Sequence, residues 1–268
     1  MIRHQRAAHQ RSRGAASLEV AAHGLARLHQ ASPLRILFPT PEPGAALEAA
    51  FVNVAGGLAG GDSIEAGITM RPGARAQVTT PAAEKIYRSL GETSRIATQI
   101  SVAEGAVLEF LPQEAILFEG ARLTRRMEAR VAPGGTLLAA ESVVLGRIAR
   151  GEVWRLGALH DVWRLRQGER LVWADAMTLD ATARDAPFGL DGAESMGMIL
   201  LLAENAAAHR ELARELTGGA ASLIRPGLLL LRFLGSAGAV RGAMASAIPA
   251  LRAAALGLPP VLPRLWTC

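Results

Sequence analysis

Short apolar or alternating runs, each followed by a turn that contains glycine, recur along most of this 268-residue chain. Three successive pairs of runs are clear: 63–70 with 74–79, 95–102 with 106–110, and 122–131 with 136–144. Short strands separated by Gly and Pro turns at this spacing are typical of meanders and solenoids. The pattern therefore predicts a mainly β protein, either an irregular β-solenoid or a two-layer β scaffold.

The remaining runs predict more strands and two helices, both in the C-terminal third. Further strands are expected at 34–38, 47–54, 161–166, 170–177, 221–224 and 228–233. The first helix is predicted over 206–216, with Asn205 as its N-cap and Gly218 at its end. The second is predicted over 237–256, with Ser236 as its cap, a bend at Pro249 and a stop at Gly257.

The first 16 residues carry several arginines and no acid, and we interpret them as a disordered, basic tail. They contain no aromatic side chain that could stack on bases, so nucleic-acid binding is not expected. No clear linker or repeat divides the rest, which favours a single β-rich domain over 17–268.

The composition of the chain bears on where in the cell it is found and on whether it contains disulfides. No apolar run reaches the roughly 18 residues of a membrane span, so no membrane contact is expected. Cys268 is the single cysteine, which excludes an internal disulfide framework. A cytoplasmic protein is the simple expectation.

Four glycines in six residues form the most unusual local segment of the chain. Gly56, Gly57, Gly60 and Gly61 lie between two strand-like runs and are followed by Asp62. Their spacing resembles a phosphate-binding loop, but Asp62 stands where that loop needs a lysine, and the run that follows favours a strand over a helix. We therefore interpret the segment as a tight loop that orients Asp62, since glycine allows close backbone approaches.

No catalytic or stable metal motif is apparent. The serines lack a G-x-S-x-G elbow, and the six histidines lack the spacing of metal ligands. Carboxylates do occur in or beside the strand-like runs, at Asp62, Glu65, Glu84, Glu109, Glu114 and Glu141. One alternative is a β-solenoid carbohydrate hydrolase that uses Glu109 and Glu141 as paired acids. The low aromatic content, 4%, disfavours it.

A second unusual run, 79–89, contains the only lysine, Lys85, and the only tyrosine, Tyr87, followed by Arg88. Together with the Gly-rich loop, this run resembles the urease accessory proteins of the UreD family, also called UreH. Segments 108–114 and 141–152, the latter with Arg147, are similar to further motifs of that family. The resemblance extends through nearly the whole chain.

This resemblance implies a non-enzymatic chaperone that inserts nickel into urease. Such a protein would bind UreF-type and UreG-type accessory proteins and apo-urease, and would conduct nickel(II) as transient cargo with no tightly bound cofactor. Scattered oxygen ligands suit such a path, because nickel favours imidazole nitrogen and is held more weakly by lone oxygens. A scaffold with no metal role remains the other alternative.

Asp62 and Glu141 are the first candidates for the nickel path, and Glu65 and Glu84 follow. Their alternative role is to accept hydrogen bonds from the backbone near the Gly-rich turn, or to pair with Lys85 and Arg88. Lys85 and Arg147 are expected in internal ion pairs.

Trp266 lies close to the C-terminus. We expect removal of 264–268 to weaken partner assembly or solubility, unless this side chain packs inside the molecule.

Overall fold

The structure of the protein is a computed structural model, and it describes residues 11–40 and 46–267. The strands in these residues are β1 (Arg13–Ala21), β2 (Gly24–Ala31), β3 (Leu34–Leu37), β4 (Leu47–Asn53), β5 (Ser63–Met70), β6 (Arg75–Thr79), β7 (Glu84–Ile86), β8 (Ser94–Val102), β9 (Val107–Leu111), β10 (Ala115–Leu117), β11 (Arg122–Val131), β12 (Thr136–Leu145), β13 (Ala158–Gln167), β14 (Arg170–Leu179), β15 (Ser195–Leu202), β16 (Ala221–Arg225) and β17 (Leu228–Gly235). The helices are α1 (Ala181–Asp185), α2 (Arg210–Thr217) and α3 (Ala237–Leu256), and single 3-10 turns occur at Ile148–Arg150, Ala206–His209 and Arg264–Trp266.

The strands form two sheets. The first sheet has the order β14-β13-β11-β8-β5-β1-β2. The second has the order β16-β17-β15-β12-β9-β6-β4-β3, and β10 pairs with both β12 and β7 beside it. The mainly β, solenoid-like architecture expected from the sequence is therefore confirmed.

The Gly turns within the three predicted strand pairs connect the two sheets and do not close hairpins, so these pairs are not meanders. Strand β5 lies in the first sheet and β6 in the second, and the same alternation holds for β8 with β9 and β11 with β12. Within each sheet these strands pair in parallel. The turns stack on one another through the backbone, since Gly73 N donates to Glu104 O (3.3 Å) and Gly105 N donates to Gly134 O (3.1 Å). Each coil thus pairs with the next coil, as in a solenoid.

The main core lies between the sheets, and a second core lies between the second sheet and the helices α2 and α3. Consecutive residues Leu137 and Leu138 are both fully buried, one in each core. Strands buried on both faces are nearly continuous apolar runs, which explains the sequence of β12 and β15.

The C-terminal helix matches its prediction. Ser236 Oγ accepts a hydrogen bond from Ala239 N at 3.3 Å, and Gly257 ends the helix in a left-handed conformation. Asn205 does stand at the N-cap position before Ala206, but its side chain makes no capping hydrogen bond. Its side chain instead donates to Ala255 O (2.9 Å), and residues 206–209 form a 3-10 turn before α2 begins. Helix α1 was missed because five residues are too few for a helical pattern.

Residues 1–10 of the predicted tail lie outside the described residues. Residues 13–16 were also assigned to the tail, and this was wrong, because they begin β1. Strand β1 is held by parallel pairing with β5, in which Arg13 lies opposite Ser63. The single domain over 17–268 stays a prediction. No helix in the described part of the chain is long and apolar enough to cross a membrane.

Candidate functional site

Four segments that are distant in sequence stack on successive coils. Leu58 pairs with Ile86, Ile86 with Leu117, and Leu117 with Leu145, and all four side chains are buried. We call the segments 56–61, 84–89, 115–121 and 145–156 the coil-end layer. Three of the motifs that carried the family resemblance are therefore neighbours in the fold.

The Gly-rich loop forms the first level of the coil-end layer. Leu58 N donates to Lys85 O and Tyr87 N donates to Leu58 O, both at 2.8 Å, while Tyr87 Oη donates to Gly56 O at 2.9 Å. A Cβ on Gly57 would lie 2.6 Å from the Tyr87 ring, and one on Gly60 would lie 2.5 Å from Ser89 Oγ. These close approaches explain why the loop needs glycine. Gly61 has a positive φ of 91° just before Asp62.

The outward side chains of the same layer also stack. The rings of Tyr87 and Phe118 meet edge to face, with centroids 5.2 Å apart, and the Arg147 guanidinium lies 4.7 Å from the Phe118 centroid. Arg147 Nε donates to Glu152 Oε2 at 2.8 Å. This hydrogen bond lowers the pKa of Glu152.

Of the two basic residues expected to form internal ion pairs, Arg147 forms an ion pair and Lys85 does not form one with a described residue. Arg147 does pair with Glu152, although at the surface. Lys85 is exposed and makes no ion pair with any described residue, so that prediction was wrong. Its carbonyl, not its ammonium group, holds the layer together. Arg88 packs its methylenes on Gly120.

Asp62 is 7% exposed, and the backbone engages both of its oxygens. Oδ1 accepts from Ser12 N (2.7 Å) and Oδ2 accepts from Ala59 N (2.9 Å). This is the alternative role expected for a carboxylate beside a Gly-rich turn. Asp62 thereby attaches β1 to the Gly-rich loop.

Glu84 and Glu65 occupy different environments. Glu84 is half-buried and accepts from Asn53 Nδ2 at 3.0 Å, and burial raises its pKa from the ordinary 4.5 to about 7. Asn53 Nδ2 also lies 3.3 Å from Gly57 O, which links Glu84 to the Gly-rich loop. Glu65 is exposed on the outer face of β5, away from the space between the sheets.

Glu141 lines a large cavity, which the other three candidate acids do not line. This cavity, of about 960 Å³, is bounded by both sheets and by α2 and α3. Its other charged lining residues, which the sequence interpretation missed, are Arg125, Asp161, Asp175 and Arg232, and three methionines, Met177, Met196 and Met198, also line it. Three carboxylates and two guanidinium groups give the lining a net charge of −1 when all are ionised.

Ion pairs cross this cavity between the sheets. Arg125 on β11 binds its neighbour Asp161 through Nη2–Oδ2 (2.6 Å) and Nε–Oδ1 (3.2 Å), and it also pairs with Glu141 on the facing sheet. Asp175 on β14 pairs with Arg232 on β17 at 2.7 Å. The described residues contain no group of three or more His, Cys, Asp or Glu side chains that could hold a metal ion. The four candidate acids are therefore dispersed, and the cavity presents oxygens without a preformed cage.

A signal for the missed residues was present in the strand alternation. In β11, Arg125 stands at an inward position between Leu123 and Met127, and in β13, Asp161 stands between Leu159 and Trp163. A charge at an inward position of a strand is either paired or functional.

The paired acids of the hydrolase alternative do not face each other. Glu109 lies opposite Leu138 in register, on the helix side of the second sheet, whereas Glu141 faces the cavity. Glu109 is buried and pairs with Arg252 at 2.7 Å, and burial raises its pKa. Two acids on opposite faces of one sheet cannot act on one glycosidic bond. The interpretation of these residues as a catalytic pair was wrong.

Trp266 packs inside the molecule. Its Nε1 donates to Leu111 O at 2.9 Å, and the Arg241 guanidinium lies 5.4 Å from its ring. Arg241 also pairs with Glu114 at 2.6 Å. The alternative of intramolecular packing is therefore confirmed.

These features define a stacked-coil β protein with a charged cavity between its sheets. Comparison with known proteins gives the family: the model described as UreD urease accessory protein matches residues 12–267. The chain belongs to the UreD family of urease accessory proteins and therefore has a role in urease maturation.

Several relatives match across most of their length. The chain is 48% identical to urease accessory protein UreD of Granulibacter bethesdensis, over 86% of this chain and 99% of that protein. It is 44% identical to urease accessory protein UreD 1 of Methylobacterium radiotolerans, over 89% and 84% of the two chains. It is 40% identical to urease accessory protein UreD of Rhodopseudomonas palustris strain HaA2, over 96% and 93%.

Proposed function

We propose that this chain is a non-catalytic, cytoplasmic scaffold that binds UreF-type and UreG-type accessory proteins and apo-urease. Nickel(II), the cargo of urease maturation, passes through its interior to the urease active site. Membership of the UreD family supports the role in maturation. The observation that supports the interior route is the cavity of about 960 Å³ beside Glu141, with its excess of carboxylates.

The chemistry of the lining suits passage better than storage. The ionisable groups of the cavity are carboxylates and guanidinium groups. Oxygen ligands hold nickel more weakly than imidazole or thiolate, so a cation that enters can also leave. Arg125 already forms ion pairs with Glu141 and Asp161. A nickel ion that enters the cavity therefore competes with the guanidinium of Arg125 for both carboxylates.

Within this proposal Glu141 is the principal path residue. Asp62, Glu65 and Glu84 do not line the cavity, and their part in nickel transfer rests on the family resemblance alone.

The test is urease activation with Glu141→Gln, co-expressed with urease and its other accessory proteins. We expect the variant to co-purify with a tagged UreF-type partner while the urease produced holds less nickel and less activity. Glu169→Gln, in the exposed β13–β14 turn, is the matched control and should match wild type.

The possible outcomes separate the alternatives. Full nickel loading by an assembled Glu141→Gln variant would contradict the path through Glu141 and favour a scaffold with no metal role. If the folded wild-type chain fails to co-purify with the UreF-type partner, that result would contradict the proposal that the chain is a scaffold for accessory proteins.

A further inference from the structure

The outward side of the coil-end layer concentrates unpaired positive charge. Lys85, Arg88, Arg150 and Arg155 are exposed there, and none of them makes an ion pair with a described residue. The levels are contiguous, because Ser89 N donates to Gly120 O (3.0 Å) and Gly120 N donates to Leu156 O (2.9 Å). The four cations therefore belong to one surface.

The acids of this surface are engaged within the protein. Glu119 Oε2 accepts from Arg155 N at 2.6 Å. Glu152 Oε1 accepts from Glu119 N at 2.9 Å, and its other oxygen holds Arg147. With Arg147 the layer carries five cations and only three carboxylates, those of Glu84, Glu119 and Glu152, so the charge offered to a partner is predominantly positive.

The same layer carries exposed apolar and aromatic side chains. Leu156 is 61% exposed and Val153 is 42% exposed, and the stacked rings of Tyr87 and Phe118 belong to the same layer. A chain with only 4% aromatic residues thus places its single tyrosine at the surface. Tyr, Phe and Arg are the residue types enriched in protein interfaces.

The backbone of the coil-end layer is held in place. Its backbone is tied from level to level by hydrogen bonds, and Arg147 is fixed by both Glu152 and the Phe118 ring. A backbone that is ordered in advance loses less conformational entropy when a partner binds.

We propose that the outward side of the coil-end layer binds an acidic protein surface in which carboxylates surround an apolar side chain. Carboxylates form bidentate, charge-assisted hydrogen bonds with arginine, and Leu156 and Tyr87 receive the apolar group. This inference rests on the proposed function, because it names the surface through which one protein of the maturation assembly docks.

The test compares two charge reversals of equal size. Arg88→Glu with Arg155→Glu alters the coil-end layer. Arg130→Glu with Arg164→Glu alters exposed arginines on the outer face of the first sheet, which make no ion pair with a described residue. The affinity of each variant for a purified UreF-type protein and for apo-urease is measured at low and high salt. We expect the coil-end variant to lose about tenfold or more in affinity for one of the two proteins, and wild-type binding to weaken with salt. The control pair should stay within about threefold of wild type.

Leu156→Ser tests the apolar part and should weaken the same binding without changing its salt dependence. Wild-type affinity for both proteins in the coil-end variant would overturn this inference and leave the proposed function standing. A wild-type chain that binds neither protein would overturn the proposed function and the inference with it. Loss of a self-associated form alone would also overturn the inference, since the occupant would then be a second copy of the chain.

Discussion

Arg125 in the first sheet pairs with Glu141 in the second, so one guanidinium connects the two sheets across the cavity. Its other partner, Asp161, is its register neighbour on the adjacent strand. The three side chains are nearly buried, and two carboxylates share one cation. The same contact thus stabilises the interior and leaves it with excess negative charge.

Arg125→Met should destabilise the fold, because it leaves two nearly buried carboxylates without their cation. We expect the free energy of unfolding at pH 7 to fall by about 3–5 kcal/mol, measured by urea denaturation. Glu141→Gln should cost less, since Asp161 still holds Arg125. The double variant should show a coupling energy of about 0.5–3 kcal/mol. Strictly additive effects would mean that the pair across the cavity contributes nothing.

Glu84 should make stability depend on pH. Its pKa in the folded state is about 7, above the ordinary value of 4.5. Below pH 4.5 the carboxyl is protonated in both states, and between pH 4.5 and 7 only the unfolded state ionises, so the free energy of unfolding falls as pH rises.

Glu84→Gln removes this titration. Its stability relative to wild type should grow by up to about 3 kcal/mol between pH 4.5 and 7 and then level off. Glu65→Gln, on the exposed face of β5, is the matched control. Parallel stability curves for wild type and Glu84→Gln would show that burial does not perturb Glu84.

Gly56 and Gly57 form a matched pair in the Gly-rich loop. Both have positive φ, but only a Cβ on Gly57 would meet Tyr87 and Lys85, whereas nothing lies within 4 Å of one on Gly56. Gly57→Ala should therefore displace the Tyr87 ring and lower the melting temperature well below that of Gly56→Ala. NMR of the protein with selectively labelled tyrosine, which reports on Tyr87 alone, and thermal unfolding would show this, and equal losses would mean that only backbone strain matters.

Asp62→Ala should loosen the N-terminal strand. The variant removes the acceptor of the N–H groups of Ser12, which is half-buried, and Ala59, which is exposed, at a cost of about 0.5–1.5 kcal/mol for each lost hydrogen bond. Amide hydrogen exchange should accelerate in β1 more than in β12. Reduced urease activation with unchanged exchange would instead support a direct part of Asp62 in the nickel path.

The sequence predicted where the strands lie better than it predicted which strands pair with one another. Runs such as 63–70 and 122–131 became strands with the same bounds, because apolar alternation is a local property. A turn such as 71–73 can close a hairpin or lead to the opposite sheet, and the choice depends on contacts with the next coil's turn at Gly105, which no local pattern contains.

The same limit applies to the site. Glu141 was predicted as a site residue because it belongs to the conspicuous segment 141–152. The cavity that it lines was not predicted. Arg125 and Asp161 become neighbours only through the parallel register of β11 and β13, which are separated by the whole of β12. Asp62 was conspicuous beside the glycines and Glu84 within the run 79–89, yet the fold gives their oxygens to backbone and amide donors.

Trp266→Ala tests whether the C-terminal segment serves the fold or a partner. The side chain is 6% exposed, its indole N–H binds Leu111 O, and Arg241 covers the ring. We expect the free energy of unfolding to fall by about 3–5 kcal/mol, as for other buried tryptophans, with unchanged affinity for a UreF-type protein at a temperature where the variant is folded. Thr267→Ala, at an exposed neighbouring position, is the control for both measurements. A variant of normal stability that binds the partner less tightly would show that Trp266 is released from its pocket to form part of the interface.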